Sequence, residues 1–302
     1  MAAVAEVNVS GVGRFINIRP NLVSSLIARE NMNFSETVGA EKVPLAFIPE
    51  ITRTTDRFDE VVREAMKTRL TIAAGTILKP RDVKEIDGLG IKSFVSPAHS
   101  VFVAGELRKH QSLKWSPGVS HPDELDELVR IVRDSNLTRD QVVGLKAFPT
   151  FCSDAAALKK ALEGPYRIII DELKLKLELV TGDLPGNAVV VTTPLEFEVA
   201  AFEAPEESTI YIGSPKGGRG LQTVLDIQAA SLDYPEFNGL PVAAFGGVNN
   251  DNIPELLQGG VGNFGTSTLF TPDIVSAAAK SDYDPGTAAA FALMKTIKRA
   301  LA

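Results

Sequence analysis

The feature that most constrains the fold is a short apolar segment that recurs along the chain and ends in glycine, proline or another turn-forming residue. Most of these segments are almost continuously hydrophobic, which is typical of parallel strands covered on both faces. Segments with helical spacing of apolar residues lie between them. The clear strand segments are VPLAFIPE (43–50), RLTIAAGT (69–76), IKSFVSP (91–97), LKWSPG (113–118), VVGLKAFP (142–149), PVAAFGG (241–247) and VGNFGTS (261–267).

The spacing of these segments predicts an α/β fold, specifically a (β/α)8 TIM barrel. The intervals between strand ends each match one strand-plus-helix unit of ~20–30 residues, except the interval from 146 to 246. We therefore expect a single barrel domain over 1–302 with an insertion at about 165–238, between strands 6 and 7. The insertion has its own strand candidates at 187–194 and 208–215 and a helix from 221 to about 231. A strand at 13–18, a helix near 21–30 and a C-terminal helix at 286–302 complete the prediction.

Composition excludes several classes of protein. The 31 Lys and Arg against 38 Asp and Glu leave a net charge of −7, which repels nucleic acid and anionic membranes. No apolar run approaches the ~20 residues that span a bilayer, and the N-terminus does not resemble a secretory signal, so a cytoplasmic location is expected. Cys152 is the only cysteine, which excludes an intrachain disulfide and a cysteine-based zinc cluster.

Lys146 is the first candidate for chemistry, because it lies at the end of an apolar strand where its amine is poorly solvated. Burial disfavours the charged form, and a neutral amine can attack a ketone to form a Schiff base. The alternative is a lysine that extends past the strand end into solvent. Glu50 also ends an apolar strand, where desolvation would raise the pKa of its carboxyl and suit it to proton transfer. Its alternative role is to begin a helix.

The histidines offer no metal site. His99, His110 and His121 do not share the spacing of metal ligands on one helix face, so we predict no metal and place all three in loops or at the surface.

Six motifs follow one another along the chain, namely AAGTILKP (73–80), FVSP (94–97), PGVSHPDEL (117–125), LKAFP (145–149), FGGVNNDNIPELLQGGVGNFG (245–265) and GTS (265–267). In this order they resemble the 2-keto-3-deoxy-6-phosphogluconate and 4-hydroxy-2-oxoglutarate aldolase family, and LKAFP is similar to the Schiff-base strand of that family. The resemblance covers roughly 43–165 and 239–270.

The resemblance implies a class I aldolase that needs no cofactor and forms a homotrimer. It makes Lys146 the Schiff-base lysine and Glu50 the acid/base carboxylate. The residues implied to bind a 2-oxo acid substrate are Arg53, Thr76, Pro97 and Phe148. Arg53 arrives one residue earlier than the family pattern, so a role as a surface arginine that opens a helix stays open.

Glycines after two strands predict an anion site. Gly246 and Gly247, with Thr266 and Ser267, can present backbone N–H groups at helix N-termini, where phosphate binds well. A tight turn is the alternative for the glycine pair. The loop SPKGGRG (214–220) carries two cations that could bind phosphate, but we interpret it as a solvated turn because it lacks nucleotide-loop spacing.

Phe245 departs from the family, which usually has threonine before the paired glycines. A phenyl ring cannot hydrogen-bond a substrate hydroxyl and would dry the pocket beside Lys146. The expected function is cleavage or formation of a carbon–carbon bond in a 2-oxo acid, with or without a phosphate group. Two alternatives remain, namely another phosphate-binding barrel enzyme acting on a small sugar phosphate, and a catalytically inactive binding or assembly relative.

Overall fold

A computed structural model describes residues 6–10, 46–55, 57–66 and 71–266. The strands are β1 Glu6–Ser10, β2 Ala46–Thr52, β3 Ala73–Gly75, β4 Ser93–Val95, β5 Lys114–Ser116, β6 Gly118–Val119, β7 Leu145–Ala147, β8 Lys176–Leu179, β9 Val189–Val191, β10 Thr209–Ile212, β11 Val242–Ala244 and β12 Asn263–Thr266. The α-helices are α1 Phe58–Met66, α2 Pro80–Gly88, α3 Val101–Leu107, α4 Leu125–Asp134, α5 Ala155–Glu163, α6 Arg167–Leu173, α7 Pro194–Glu203, α8 Leu221–Ser231 and α9 Ile253–Gln258.

The chain divides into two compact units. The first comprises residues 1–77, 81–94 and 248–302, and the second comprises residues 78–80 and 95–247. In the part of the chain that the structure describes, no helix is long and apolar enough to cross a membrane.

The first unit is built on parallel strands in the order β4, β3, β2, β1, β12. Glu50 pairs with Ser10 on one side and with Ala73 on the other. Helix α1 buries Phe58, Val61, Val62 and Ala65, which recur at helical spacing. All seven predicted strand segments contain strands at their expected places.

The strand that pairs with β2 is β1, Glu6–Ser10, which was not predicted. The sequence EVNVS alternates apolar and polar residues, so it lacks the continuous hydrophobic run used to find the other strands. The predicted strand at 13–18, the helix near 21–30 and the C-terminal helix lie outside the described residues.

The second unit has parallel strands β6, β7 and β11, with β7 in the centre. Trp115 of β5 bridges in parallel to Val142, just before β7. Its indole nitrogen donates a hydrogen bond to Ser96 Oγ at 3.0 Å. The polar atom of this fully buried ring therefore has a hydrogen-bond partner. This arrangement fixes the strand that carries Lys146 from both sides.

The segment at 165–238 carries a second parallel sheet, in the order β8, β10, β9. Helices α5, α6 and α7 supply side chains to a hydrophobic cluster that includes Leu158, Tyr166, Phe197 and Ile212. The predicted strands at 187–194 and 208–215 and the helix at 221–231 are present. Strand β8 was not predicted, because KLEL alternates charged and apolar residues on a partly exposed strand.

Candidate active site

Lys146 is buried, with 5% of its surface exposed, in the middle of β7. Its partners in the sheet are Gly118 on β6 and Ala243 on β11. Paired residues in a parallel sheet point to the same face, and these two neighbours leave space beside the long lysine side chain. The small neighbours therefore allow a large polar side chain to lie inside an otherwise apolar sheet face.

Two phenyl rings flank the Lys146 amine. Nζ lies 5.0 Å from the centroid of the Phe148 ring and 4.7 Å from that of Phe245. Both rings are buried, and both residues lie two positions beyond the β7–β11 pair formed by Lys146 and Ala243. The strand period of two places all four side chains on one face, so the amine is enclosed by hydrocarbon on two sides.

Pro97 lies close to Gly118, the sheet partner of Lys146. A side chain at Gly118 would overlap the Pro97 carbonyl, so the close approach of the two segments requires glycine. Pro97 is buried in the turn after β4. The second unit therefore brings together three of the predicted site residues: Lys146, Phe148 and Pro97.

A network around Thr150 joins the ends of β7 and β11. Thr150 Oγ1 donates a hydrogen bond to the Ala147 carbonyl at 2.9 Å and accepts one from the Phe245 N–H at 2.9 Å. The Thr150 N–H donates to the Phe245 carbonyl at 2.6 Å. Sequence reasoning missed Thr150, because its hydroxyl acts on a residue 95 positions away and no local motif signals that contact.

Gly246 and Gly247 both adopt positive φ angles, of 81° and 77°. A Cβ on Gly246 would lie 3.0 Å from the Phe148 ring, and one on Gly247 would lie 2.7 Å from the Phe151 carbonyl. Backbone conformation and close packing therefore both require glycine here. These observations explain the pair as a turn, and phosphate binding by it stays a prediction.

The loop 214–220 is not a freely solvated turn, and that interpretation was wrong. Side chains at Gly217 and Gly218 would overlap the carbonyls of Ser120 and Cys152, so both glycines pack closely against the chain. The Gly220 N–H donates to the Thr150 carbonyl at 2.9 Å. Sequence reasoning could not detect these contacts, because each partner is distant in the chain.

Both cations of this loop are paired. Lys216 Nζ donates to Glu196 Oε1 at 2.6 Å, and Arg219 contacts Asp226. Lys216 and Thr192 hold the pKa of Glu196 below its usual value, against the opposing effect of burial, which is the largest single influence. The ion pairs hold the loop in its packed position. Each cation that could attract a phosphate therefore already has a carboxylate partner.

In the first unit, Glu50 is 4% exposed and lies beside Gly75 of the next strand. A side chain at Gly75 would overlap the Glu50 carboxyl group. Thr76 follows with a φ of 63°, an uncommon left-handed conformation for a β-branched residue. Strain of this kind clusters at functional sites. The glycine–threonine strand end thus makes room for a buried carboxylate.

Arg53 faces carboxylates of helix α2. Its Nη2 lies 2.9 Å from Glu85 Oε2, and its Nε lies 3.4 Å from Asp82 Oδ1. Burial raises the pKa of Glu85 to about 7, a hydrogen bond with Asp59 adds to the rise, and Arg53 opposes it. The role of Arg53 in holding a substrate carboxylate stays a prediction.

Thr266 ends β12 and is buried, and its Oγ1 donates to the Val248 carbonyl at 3.0 Å. This hydroxyl therefore links the end of β12 to Val248, in the loop that precedes α9. Ser267, the fourth residue of the predicted anion site, lies outside the described residues.

His99 lies in the loop after β4, as predicted, and its side chain is buried there. The residue is 1% exposed, and its Nδ1 lies 3.0 Å from the Gly118 carbonyl. Its Nε2 lies 4.0 Å from Glu127 Oε2. Because Gly118 has no side chain, the turn after Pro97 can place the imidazole against its backbone.

Cys152 has no features of a nucleophile. Burial, and next the charge of Asp154, raise the pKa of its thiol to about 11. The thiol form is therefore favoured at neutral pH, and the thiolate is the reactive species.

Within residues 6–10, 46–55, 57–66 and 71–266, no group of three or more His, Cys, Asp or Glu is arranged to hold a metal ion.

Comparison with known proteins shows the fold but not the family. No family model matches the sequence, and no curated protein matches it. A solved 4-hydroxy-2-oxoglutarate/2-dehydro-3-deoxyphosphogluconate aldolase has a TM-score of 0.50 and 15% identity, over 98% of this chain and 95% of that one. A Legionella pneumophila KDPG aldolase, captured with pyruvate as a covalent carbinolamine, has the same score and identity over 97% and 95%.

The protein therefore has an α/β fold that matches enzymes with the TIM-barrel fold, including aldolases. At 15% identity the likeness extends to the fold alone, because barrels of this kind host many unrelated reactions.

Proposed function

We propose that the protein is a class I aldolase that cleaves or forms a carbon–carbon bond in a 2-oxo acid through a Schiff base on Lys146. The observation that carries this proposal is the burial of Lys146 between two phenyl rings in the middle of β7. The alternative of a lysine that extends its amine past the strand end into solvent does not agree with an exposure of 5%. The cost of burying an amine here is explained if the amine reacts in its neutral form.

The reaction begins with the neutral amine of Lys146. Its lone pair forms a bond to the C2 carbonyl carbon, and the carbonyl oxygen takes up a proton to give a carbinolamine. Loss of that hydroxyl as water, with a proton supplied by Glu50, leaves a protonated imine. The proposal requires the Glu50 carboxyl to reach the reacting centre directly or through one water molecule.

Bond cleavage uses the imine as an electron sink. The Glu50 carboxylate removes the proton of the C4 hydroxyl, the C3–C4 electron pair moves into the iminium, and an aldehyde leaves. The resulting enamine takes a proton at C3, and water hydrolyses the imine to release pyruvate and free Lys146. The iminium polarises the bond that breaks, so the proposal includes neither metal nor cofactor.

Four residues are assigned to the body of the substrate. Arg53 and Thr76 would hold the carboxylate of the 2-oxo acid, with Pro97 and Phe148 against its carbon chain. Arg53 must then exchange or share its contacts with Asp82 and Glu85. The backbone at Gly246 and Gly247, with Thr266 and Ser267, would bind the phosphate of a phosphorylated substrate. We further propose a homotrimer with no nucleic-acid or membrane partner.

A pyruvate-release assay tests the proposal. The wild-type protein is mixed with 4-hydroxy-2-oxoglutarate or 2-keto-3-deoxy-6-phosphogluconate, and pyruvate is measured by its reduction with lactate dehydrogenase. We expect release that EDTA does not inhibit and that Lys146→Arg abolishes, because a guanidinium cannot form the imine. Equal release by Lys146→Arg and the wild type would contradict the Schiff base, and loss of activity in EDTA would indicate a metal-dependent aldolase.

A second candidate is another phosphate-binding barrel enzyme that acts on a small sugar phosphate. The two left-handed glycines after β11 favour it, because successive backbone N–H groups in a turn of this kind can form a concavity that binds an anion. This candidate would bind inorganic phosphate without forming a covalent adduct with pyruvate.

A further inference from the structure

We propose that Thr150 is a positioning residue that holds the Phe245 ring over the Lys146 amine. The inference rests on the proposed function, because it assigns a device that keeps the Schiff-base lysine enclosed. Thr150 is 0% exposed and lies four positions beyond Lys146, after the turn that carries Phe148.

The hydroxyl of Thr150 serves both strands at once. It accepts from the Phe245 N–H and donates to the Ala147 carbonyl, which itself accepts from the Phe245 N–H at 3.0 Å. Three polar groups therefore close a small ring of hydrogen bonds between the last residue of β7 and the first residue after β11. A hydroxyl can donate and accept together, which an alkyl group of the same size cannot do.

This ring of hydrogen bonds fixes the position of the Phe245 backbone. The phenyl centroid lies 4.7 Å from Lys146 Nζ, so a small displacement of the backbone would open one side of the amine. Interior packing leaves little empty space, and the rest of this region cannot simply close around a displaced ring. Thr150 therefore acts on Lys146 through Phe245 and does not itself contact the amine.

The backbone of Thr150 extends the same device to the loop 214–220. Its carbonyl accepts from the Gly220 N–H at 2.9 Å, and two residues later the Cys152 N–H donates to the Gly218 carbonyl at 2.8 Å. Phe151 and Arg219 form an antiparallel bridge between these contacts. The loop is thus joined to the segment that follows the lysine strand, and it prevents that segment from moving outward.

The test compares Thr150→Val, which keeps the shape and loses the hydroxyl, with Thr150→Ser, which keeps the hydroxyl. The first measurement is the rate of reductive methylation of Lys146 in alkaline solution, where every lysine is neutral and the rate reports access alone. Peptide mass spectrometry identifies the modified residue. We expect Thr150→Val to raise this rate about tenfold and Thr150→Ser to keep the wild-type rate.

The second measurement is the steady-state kinetics of pyruvate release. Thr150→Val should lower kcat about tenfold with a smaller change in KM, since the substrate still binds but the amine is no longer enclosed by the Phe245 ring. Phe245→Leu removes the ring while leaving Thr150 in place, and it should reproduce the increase in methylation. This variant keeps the proposal testable if Thr150→Val fails to fold.

The two proposals can fail separately. Wild-type methylation rates in both Thr150→Val and Phe245→Leu would overturn the positioning role, whatever the protein does with pyruvate. Faster methylation in both variants, together with no pyruvate release by the wild type, would support the positioning role and overturn the aldolase. Equal loss of activity in Thr150→Val and Thr150→Ser would also contradict a role for the hydroxyl.

Discussion

At the scale of single residues, the candidate site depends on what stands beside the reactive groups. Lys146 is accommodated because its sheet neighbours are Gly118 and Ala243, and the Glu50 carboxyl is accommodated because it lies over Gly75, two residues beyond its sheet partner. The sequence identified both polar residues from their positions at apolar strand ends. It did not reveal how the neighbouring glycines make room for them, since those contacts join separate strands.

Gly75→Ala tests whether the space beside Glu50 matters. The new methyl group would overlap the carboxyl group, so the Glu50 side chain must move. We expect a loss of about 1–3 kcal/mol in unfolding free energy by urea denaturation, as for other overpacked cores, and a fall in pyruvate release. Gly105→Ala is the control, because it lies in helix α3 with open space around it and should stabilise by about 0.5–1 kcal/mol. Equal effects of the two substitutions would contradict the assigned packing.

Glu198 gives the protein a pH-dependent stability. Burial raises the pKa of this half-buried carboxyl from 4.5 to about 8, although the hydrogen bond from Tyr166 opposes the rise. Between these two pH values the folded state holds a proton that the unfolded state has released, so stability falls as pH rises from about 4.5 to 8. Above that range the loss is complete, and below it the two states are equally protonated.

Glu198→Gln should remove this loss while keeping an oxygen that accepts from Tyr166. We expect the variant to gain about 1–2 kcal/mol over the wild type at pH 9, after allowance for partial solvent contact, and nothing near pH 4. Urea denaturation across this pH range measures the difference. Glu203→Gln, on an exposed position of the same helix, is the control and should behave as the wild type. A gain that does not grow with pH would refute the assignment.

At the scale of elements, apolar runs predict position well, and alternating segments predict it poorly. Seven continuous runs gave strands at their expected places. The two alternating segments, EVNVS in β1 and KLEL in β8, were not predicted as strands. Only the contacts of a strand decide whether an alternating or charged segment is recruited into a sheet. The loop 214–220 was misinterpreted for the same reason, because its glycines look like those of any turn until their distant partners are known.

Gly218→Ala tests the packed position of this loop. The added methyl group would overlap Cys152, and the residue has a φ of 84°, so packing and backbone conformation both oppose alanine. We expect a loss of about 2–4 kcal/mol in unfolding free energy, the sum of overpacking and strain. Gly186→Ala, with nothing within 4 Å of the added atom, should change stability by less than about 0.5 kcal/mol. A similar small change at both positions would indicate that the loop is free.

At the scale of the whole molecule, the fold class was predictable from the sequence. The intervals between strand ends repeat at the length of one strand-plus-helix unit, and that repeat is typical of an α/β barrel. The likeness to solved aldolases agrees with that prediction at the level of fold. The chemistry is less accessible, because the distances that make a site join residues far apart in the chain. The Schiff base on Lys146 is consequently the central claim and the one that a single chemical experiment can decide.

The most direct measurement is borohydride trapping of the imine with pyruvate, followed by peptide mass spectrometry. We expect one reduced pyruvate adduct on the wild-type protein, located on Lys146 and absent from Lys146→Ala. No adduct on the wild type, or an adduct that persists in Lys146→Ala, would contradict it.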